Sequence, residues 1–303
     1  MKLALVHDYL SQNGGAEKVL EAMQEIWPQA PIHTLFFDRQ KIPHFADKDV
    51  RTSFLQRLPF SRSHYKWYLA LMPTATEQFD FSGFDVVLSS CSAFSKGVIT
   101  RPEALHICYC HTPTRYLWSD AHEYLRELNL PGFIKHGLRP LLSYLRLWDR
   151  QAAERVDLFL ANSQTVRARI KKYYHKDSLV LPPPVETEKF YISTAPKNYF
   201  LAGGRLVAYK RFDLIVEACQ KTQLPLKIFG VGPAEARLRA LAGPQTEFLG
   251  PISENEKIKL FAEARAFIHP QEEDFGITPV EAMASGRPVI AYKKGGACET
   301  VMA

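Results

Sequence analysis

The chain has no C-x-x-C pair, and its five cysteines, Cys91, Cys108, Cys110, Cys219 and Cys298, are odd in number and lie mostly in apolar runs. This speaks against a disulfide framework and against the spaced-thiol zinc modules, and it suits reduced thiols in a cytoplasmic protein. Long hydrophobic runs are also missing. None approaches the ~20 apolar residues of a membrane-spanning helix. The apolar opening MKLALVHDYL is interrupted by His7 and Asp8, too early for a signal-peptide core of ~7–15 residues. The Walker phosphate loop G-x-x-x-x-G-K-[ST] is absent, as are internal repeats and low-complexity tracts. The D-x-D at Asp47-Lys48-Asp49 lies in a polar, surface-like stretch, so no metal requirement is expected.

What is present begins with size. At 303 residues the chain exceeds the usual ceiling for one hydrophobic core, which predicts two domains of roughly 150 residues each. Its formal charge of +6 points to anionic partners: a phosphorylated ligand, an anionic membrane surface or nucleic acid. The basic residues form no recognised nucleic-acid module, so nucleic acid is not expected.

Short β-type runs alternate with amphipathic helical stretches. LALVH (3–7) precedes a helix over 16–26; DVVLS (85–89) and HICYC (106–110) follow; a leucine-rich helix covers about 136–154; and DLFLAN (157–162) leads to a helix from Ser163. Strands alternating with helices predict parallel α/β units and a doubly wound sheet. The prolines of LPPPVETEKF (181–190) forbid helix and central strand and make a stiff connector. The boundary is placed there, giving domains 1–183 and 184–303. The rhythm then restarts: YFLAGG (199–204), a helix from Lys210, LKIFG (226–230), helices from Pro233 and Ser253, AFIHP (266–270), a helix from Thr278 and PVIAY (288–292). Ser253 and Glu256 read as a capping box. The closing GGACETVMA (295–303) looks like the start of a further βα unit, so this second α/β domain is expected to be incomplete.

Four stretches fall where loops follow strands, the positions at which open α/β sheets bind ligands. In DYLSQNGGAEKV (8–19), Gly14 and Gly15 would let backbone approach an anion at a helix N-terminus; a plain turn into a helix would read the same. In CHTPTRYLW (110–118), His111 stands at the end of a strand that Pro113 stops, where it reaches toward a ligand or simply closes the strand. His106, Cys108, Cys110 and His111 do not make a convincing zinc set, since strand alternation puts the first three on one face and His111 on the other. In GGRLVAYKRFD (203–213), Arg205 and Lys210 flank a strand-to-helix turn and would oppose the charge of a pyrophosphate, or form an ordinary solvated pair. In QEEDFGITPVEA (271–282), Thr278, Pro279, Val280 and Glu281 read as N-cap, N1, N2 and N3, which explains Glu281 by capping alone. Glu273 has no such local explanation. Three acids crowded in one loop of a basic protein call for a ligand or for nearby cations.

Together the four stretches resemble the retaining glycosyltransferases of family 4, which have the GT-B fold. The likeness spans nearly the whole chain: the early Gly-Gly loop, H-T-P-T-R-Y-L-W, G-R-x(4)-K, and E-x(7)-E at Glu273 and Glu281, with Gly295, Gly296 and Glu299 beyond. The resemblance implies two Rossmann-like doubly wound domains facing a cleft, with the acceptor on the first and a nucleotide-sugar donor on the second, and no resident cofactor or metal. By the family pattern Arg205 and Lys210 neutralise the leaving diphosphate, Glu281 meets the ribose, and Glu273 meets the transferred sugar. Backbone amides of Phe275, Gly276, Ile277 and Thr278 meet sugar and phosphate, Gly14 and Gly15 approach the phosphate, and His111 borders the sugar's reacting face. H-T-P-T-R-Y-L-W resembles members using GDP-mannose or related donors for bacterial surface polysaccharides. That implies a mannosyltransferase acting on a glycan or lipid-linked acceptor at the inner face of the membrane.

Family members run some tens of residues further, which leaves the activity of the 303-residue form open. The stretch RLPFSRSHYKWYLALM (57–72), with Arg57, Arg62, Lys66, Tyr65, Trp67 and Tyr68, reads as a face for an anionic membrane or as a helix packed on the first sheet. Arg167, Arg169, Lys171, Lys172 and Lys176 add to the same basic field or are simply solvated. Two other functional readings compete: a GT-B sugar-nucleotide epimerase, and a nucleotide-sugar-binding protein without transfer activity.

Overall fold

The computed structural model describes residues 1–61, 63–127 and 131–302. Contacts divide the chain into two units, Met1–Pro184 and Val185–Ala303. The first runs β1 (Leu3–Leu10), α1 (Gly15–Ile26), β2 (Ile32–Phe37), β3 (Val50–Thr52), α2 (Met72–Glu77), β4 (Val86–Cys91), β5 (Leu105–Cys110), α3 (Ala121–Glu127), α4 (Gly132–Glu154), β6 (Leu158–Ala161), α5 (Gln164–Tyr174) and β7 (Ser178–Val180). All seven strands are parallel, in the order β3-β2-β1-β4-β5-β6-β7.

Strands covered on both faces are expected to be apolar throughout, and β1 is buried along nearly its whole length. On one face α1 lays Val19, Leu20 and Met23 against Leu5, Leu88 and Tyr109. On the other, Cys108 and Cys110 pack with Ala153 of α4 and Val166, Ile170 and Tyr174 of α5. From β1 the chain steps outward to β2 and β3, then returns to place β4 on the opposite side. The order therefore reverses between β1 and β4, the place at whose carboxyl ends open α/β sheets bind their ligands.

The second unit runs β8 (Phe200–Gly203), α6 (Phe212–Thr222), β9 (Leu226–Phe229), α7 (Glu235–Leu241), β10 (Thr246–Gly250), α8 (Glu254–Glu263), β11 (Ala266–His269), α9 (Ile277–Ala284), β12 (Val289–Ala291) and α10 (Ala297–Thr300). Its five parallel strands follow β10-β9-β8-β11-β12, so this order reverses between β8 and β11. Around them, Leu206, Ile215, Val216 and Ile228 form one core and Tyr199, Phe229, Phe261 and Phe267 another.

Three helices start elsewhere than the sequence suggests. Ala208–Lys210 is a single 3-10 turn and Arg211 takes a left-handed φ of 52°, so the helix expected from Lys210 begins at Phe212. The helix expected from Pro233 begins at Glu235. In α9 the N-cap is Gly276, at φ 91°, so Ile277 is the first helical residue, Pro279 the third and Glu281 the fifth. The capping box expected at Thr278 and Glu281 does not form. The one at Ser253 and Glu256 does, with Glu256 N–H donating to Ser253 Oγ at 3.3 Å and Ser253 N–H to the Glu256 carboxylate at 2.8 Å.

The stretch 57–72 is no single helix. A turn at Phe60 leads into a seven-residue 3-10 segment, Tyr65–Leu71. Tyr65, Tyr68 and Leu69 pack inward beside Leu55, Met72 and Phe36. Phe60 and Trp67 point out, 65% and 69% exposed, with their rings 6.1 Å apart. Lys66 is exposed as well, and Arg62 lies outside the described residues. Among those residues no helix is long and apolar enough to cross a membrane.

Candidate functional site

At the switch point of the second sheet, Lys210 and Glu273 are brought together from the loops after β8 and β11, Nζ to Oε1 at 2.9 Å. Close backbone packing fixes both loops. A Cβ on Gly230 would stand 2.0 Å from the carbonyl oxygen of Gly204, and one on Gly232 2.2 Å from that of Leu206. The loop carrying Arg205 therefore lies directly on the loop after β9, tied by Leu206 N–H to Val231 O at 2.9 Å. Arg205 itself is exposed. The Glu273 segment is pinned in turn by Gly295 and Gly296, with Gly296 N–H donating to Glu273 O at 2.8 Å and a Cβ on Gly295 falling 2.5 Å from that same oxygen. The crowded acids have cations: Glu272 pairs with Lys294 at 2.9 Å, as Glu273 does with Lys210.

Below the α9 turn sits His269, at the end of β11 and 2% exposed. Neither ring nitrogen has a hydrogen-bond partner among the described residues, and Oε1 of buried Gln271 has none either. Burial above all pushes His269 down to about 4, with Glu273 opposing and Lys210 adding to the fall. Buried polar atoms left unpaired cost about 1–3 kcal/mol each, so their clustering beside Lys210 and Glu273 suits a place completed by something else. Phe275, Gly276, Ile277 and Thr278 are partly exposed at the N-terminus of α9, where unsatisfied amides and the helix dipole favour an anion. Glu281 is buried and held by Lys257 of α8, Nζ to Oε1 at 2.9 Å, and Lys257 also pairs with Glu254.

At the switch point of the first sheet the side chains are mostly ones that motif reading passes over. Asp8, two residues before the end of β1, accepts the backbone N–H groups of Ser92, Ala93, Phe94 and Ser95 at 2.6–2.8 Å and so shapes the loop after β4. His111 follows β5 directly: its N–H donates to Cys91 O at 2.8 Å, its carbonyl accepts from Asn162 Nδ2 at 2.9 Å, and its Nε2 lies 2.8 Å from Ser90 Oγ. Burial, then His7, drive His111 down to about 3, against Asp8, so its imidazole is neutral at pH 7. Gly14 caps α1, its N–H donating to Glu17 at 2.9 Å, and Gly15 is the exposed first helical residue. The turn thus serves as a helix start while still offering backbone to solvent.

The rest of H-T-P-T-R-Y-L-W is anchored from beneath. Asp149 of α4 accepts from Thr114 Oγ1 at 2.7 Å, Trp118 Nε1 at 2.7 Å and Tyr174 OH at 2.8 Å, and pairs with Lys96 Nζ at 2.6 Å, with Lys96 and Asp149 both 1% exposed. Sequence reading noticed His7 and Asp8 only as breaks in an apolar run, and did not single out Glu17, Ser90, Lys96, Asp149, Lys257 or His269. A usable signal was present in several: ionisable side chains set within runs otherwise buried, at strand ends or on the inner stripe of a helix.

Two parallel-stranded Rossmann-like units, each with its polar side chains gathered at a switch point, define a GT-B-type fold. Solved structures with this fold include Anabaena Alr3699/HepE in complex with UDP-glucose, with a TM-score of 0.70 and 17% identity over 100% of this chain and 84% of that one. Sucrose-phosphate synthase from Thermosynechococcus elongatus has a TM-score of 0.77 and 15% identity, with the same coverage. The family profile for Glycosyltransferase Family 4 matches residues 13–189, and that for glycosyl transferases group 1 matches residues 186–303. The chain belongs to glycosyltransferase family 4. Among curated relatives it is 30% identical to the O-antigen chain mannosyltransferase C of Escherichia coli, over 45% of this chain and 40% of that protein. It is likewise 30% identical to the D-rhamnosyltransferase WbpZ of Pseudomonas aeruginosa, over 52% and 44%. The matched part thus spans less than half the length of these relatives.

Proposed function

We propose that the chain is the transfer module of a retaining, metal-independent hexosyltransferase. It moves a hexose, mannose by our reading, from a nucleotide-sugar donor, GDP-mannose, to a glycan or lipid-linked acceptor. The observation that carries the reading is the pairing of Lys210 with Glu273 at 2.9 Å, at the switch point of the second sheet. Transfer breaks the bond between the anomeric carbon and the diphosphate, so negative charge grows on the leaving oxygens while the sugar becomes cationic. Fixed cations and a helix N-terminus act most strongly on charge that develops in the transition state. Lys210 and Arg205 supply those cations, and the amides of 275–278 supply the dipole end. Glu273, held by Lys210, accepts hydroxyl hydrogens of the transferred sugar; Glu281, held by Lys257, accepts those of the ribose. Gly14 and Gly15 approach the phosphate, and His111 borders the sugar.

The mannose assignment is supported by several relatives, among them the GDP-mannose-dependent alpha-mannosyltransferase of Mycolicibacterium smegmatis, 29% identical over 49% of this chain. A lipid-linked acceptor agrees with the outward Phe60 and Trp67 and the exposed Lys66, which suit an anionic interface at the cytoplasmic face of a membrane.

A thermal-shift screen of GDP-, UDP- and ADP-sugars identifies the donor, because the bound nucleotide raises stability by mass action. With that donor, Lys210→Ala is expected to weaken binding. Glu273→Ala is expected to lower transfer by about a hundredfold, the scale of one lost transition-state contact. Transfer at the parent rate by either variant would sink the assignment.

A further inference from the structure

A continuous polar chain runs through the first sheet's switch point. Glu17 Oε2 accepts Gly14 N–H at 2.9 Å, and Oε1 lies 3.6 Å from His7 Nε2. His7 Nδ1 is 3.1 Å from Ser90 Oγ, which is 2.8 Å from His111 Nε2. The fold builds this line from its register. His7 and Ser90 are paired partners on β1 and β4, so their side chains leave the sheet on the same face. Ser90 pairs with Tyr109 on β5, and His111 stands two residues on, its ring 5.2 Å from that of Tyr109 at 63°. The same face is covered by α1, which delivers Glu17. His7, Glu17 and Ser90 are all at most 3% exposed.

The hydrogens along this line are not independent. Ser90 has one hydroxyl hydrogen and an imidazole on either side, so it can donate to only one of them, and the other must then donate to its oxygen. The direction is set at the far end. A carboxylate oxygen is an acceptor, so when the His7 ring carries one hydrogen Glu17, 3.6 Å away, favours it on Nε2. His7 Nδ1 is then a lone pair that takes the Ser90 hydroxyl hydrogen, the Ser90 oxygen accepts from His111, and the His111 hydrogen resides on Nε2.

We infer that Glu17, His7 and Ser90 are positioning residues that hold His111 in its Nε2–H form, so that Nδ1 meets a bound sugar as a lone pair and accepts a hydroxyl hydrogen. This rests on the proposed placement of His111 beside the transferred sugar. It adds which chemistry His111 recognises: a hydroxyl donates to a bare ring nitrogen, whereas a phosphate oxygen is repelled by it. A reversed line, with His7 doubly protonated and Ser90 donating to His111, would present N–H there instead and would favour a phosphate.

The test is long-range proton–nitrogen correlation of the full chain labelled with 15N-histidine at pH 7.5, with His111→Gln assigning its resonances. Nε2 of His111 is expected to be protonated and Nδ1 bare. In Ser90→Ala, and separately in Glu17→Gln, the Nδ1–H form should appear; if one variant fails to fold, the other carries the measurement. Transfer by Ser90→Ala should fall about tenfold, the worth of one hydrogen bond. An Nδ1–H form in the parent, or tautomer populations unmoved in the variants, would overturn the inference. Parent-rate transfer by His111→Gln, with the tautomer as expected, would instead overturn the placement of His111 at the sugar and leave the relay intact.

Discussion

At the scale of single residues, the most consequential group outside the proposed donor site is Asp149. Burial alone would drive Lys96 down, but the Asp149 carboxylate raises it well above the usual lysine value, so the ammonium persists in the interior. Removing one member of a buried ion pair leaves an uncompensated charge and typically costs about 3–5 kcal/mol. Lys96→Met is expected near the lower edge of that range, because Thr114, Trp118 and Tyr174 still hold the carboxylate. Asp149→Ala should cost more, since it strands the ammonium and three donors together. Urea unfolding of the two variants gives the order, and a larger loss for Lys96→Met would contradict it. Such residues are hard to see in a sequence. Asp149 sits in a leucine-rich helix where one acid looks like part of the solvated face, and only the fold shows four partners converging on it.

At the scale of elements, the strand-and-helix alternation was legible because parallel strands are apolar throughout and helices show a 3.6-residue stripe. What escaped has physical reasons. The strand β2 contains His33 and Thr34 inside an otherwise apolar run, yet all six of its residues are buried; β3 and β7 are only three residues long. The start of α9 was misread because proline favours the first helical position. Gly276 in a left-handed conformation begins the helix two residues sooner, leaving Pro279 third. The Lys210–Glu273 pairing could not be read from spacing, since its members lie 63 positions apart in the chain; only adjacency of β8 and β11 joins them. Loop-on-loop packing at Gly232 makes a prediction at this scale. Gly232→Ala must displace the backbone at Leu206 and with it the segment bearing Arg205. Stability should fall by about 1–3 kcal/mol, the usual cost of overpacking, and calorimetry should show weaker donor binding. Unchanged donor affinity would mean that Arg205 does not depend on this loop.

At the scale of the whole molecule, four imidazoles held down by burial set an acid limit. His33, His106 and His269 are each brought to about 4 and His111 to about 3, from an ordinary 6.5. Between those values the unfolded chain binds protons that the folded chain does not, so stability falls as pH drops from about 6.5 toward 4. Each group contributes a loss of about 1.4 kcal/mol per pH unit within that window and nothing above it. Denaturant titrations between pH 6.5 and 5, where most carboxylates stay ionised, should show this slope, and His106→Asn should remove about one proton from it. A flat profile would mean these imidazoles are hydrated rather than buried. The loop after β4 carries one further consequence. Its four successive amides converge on a single point, the arrangement of a nest that elsewhere cradles phosphate, but Asp8 already fills that point with a carboxylate of the protein's own. The first unit thus comes with a built-in anion. Any other anion finds that nest taken, and Asp8→Asn, which sets an amide donor against two of those N–H groups, is expected to loosen the loop after β4.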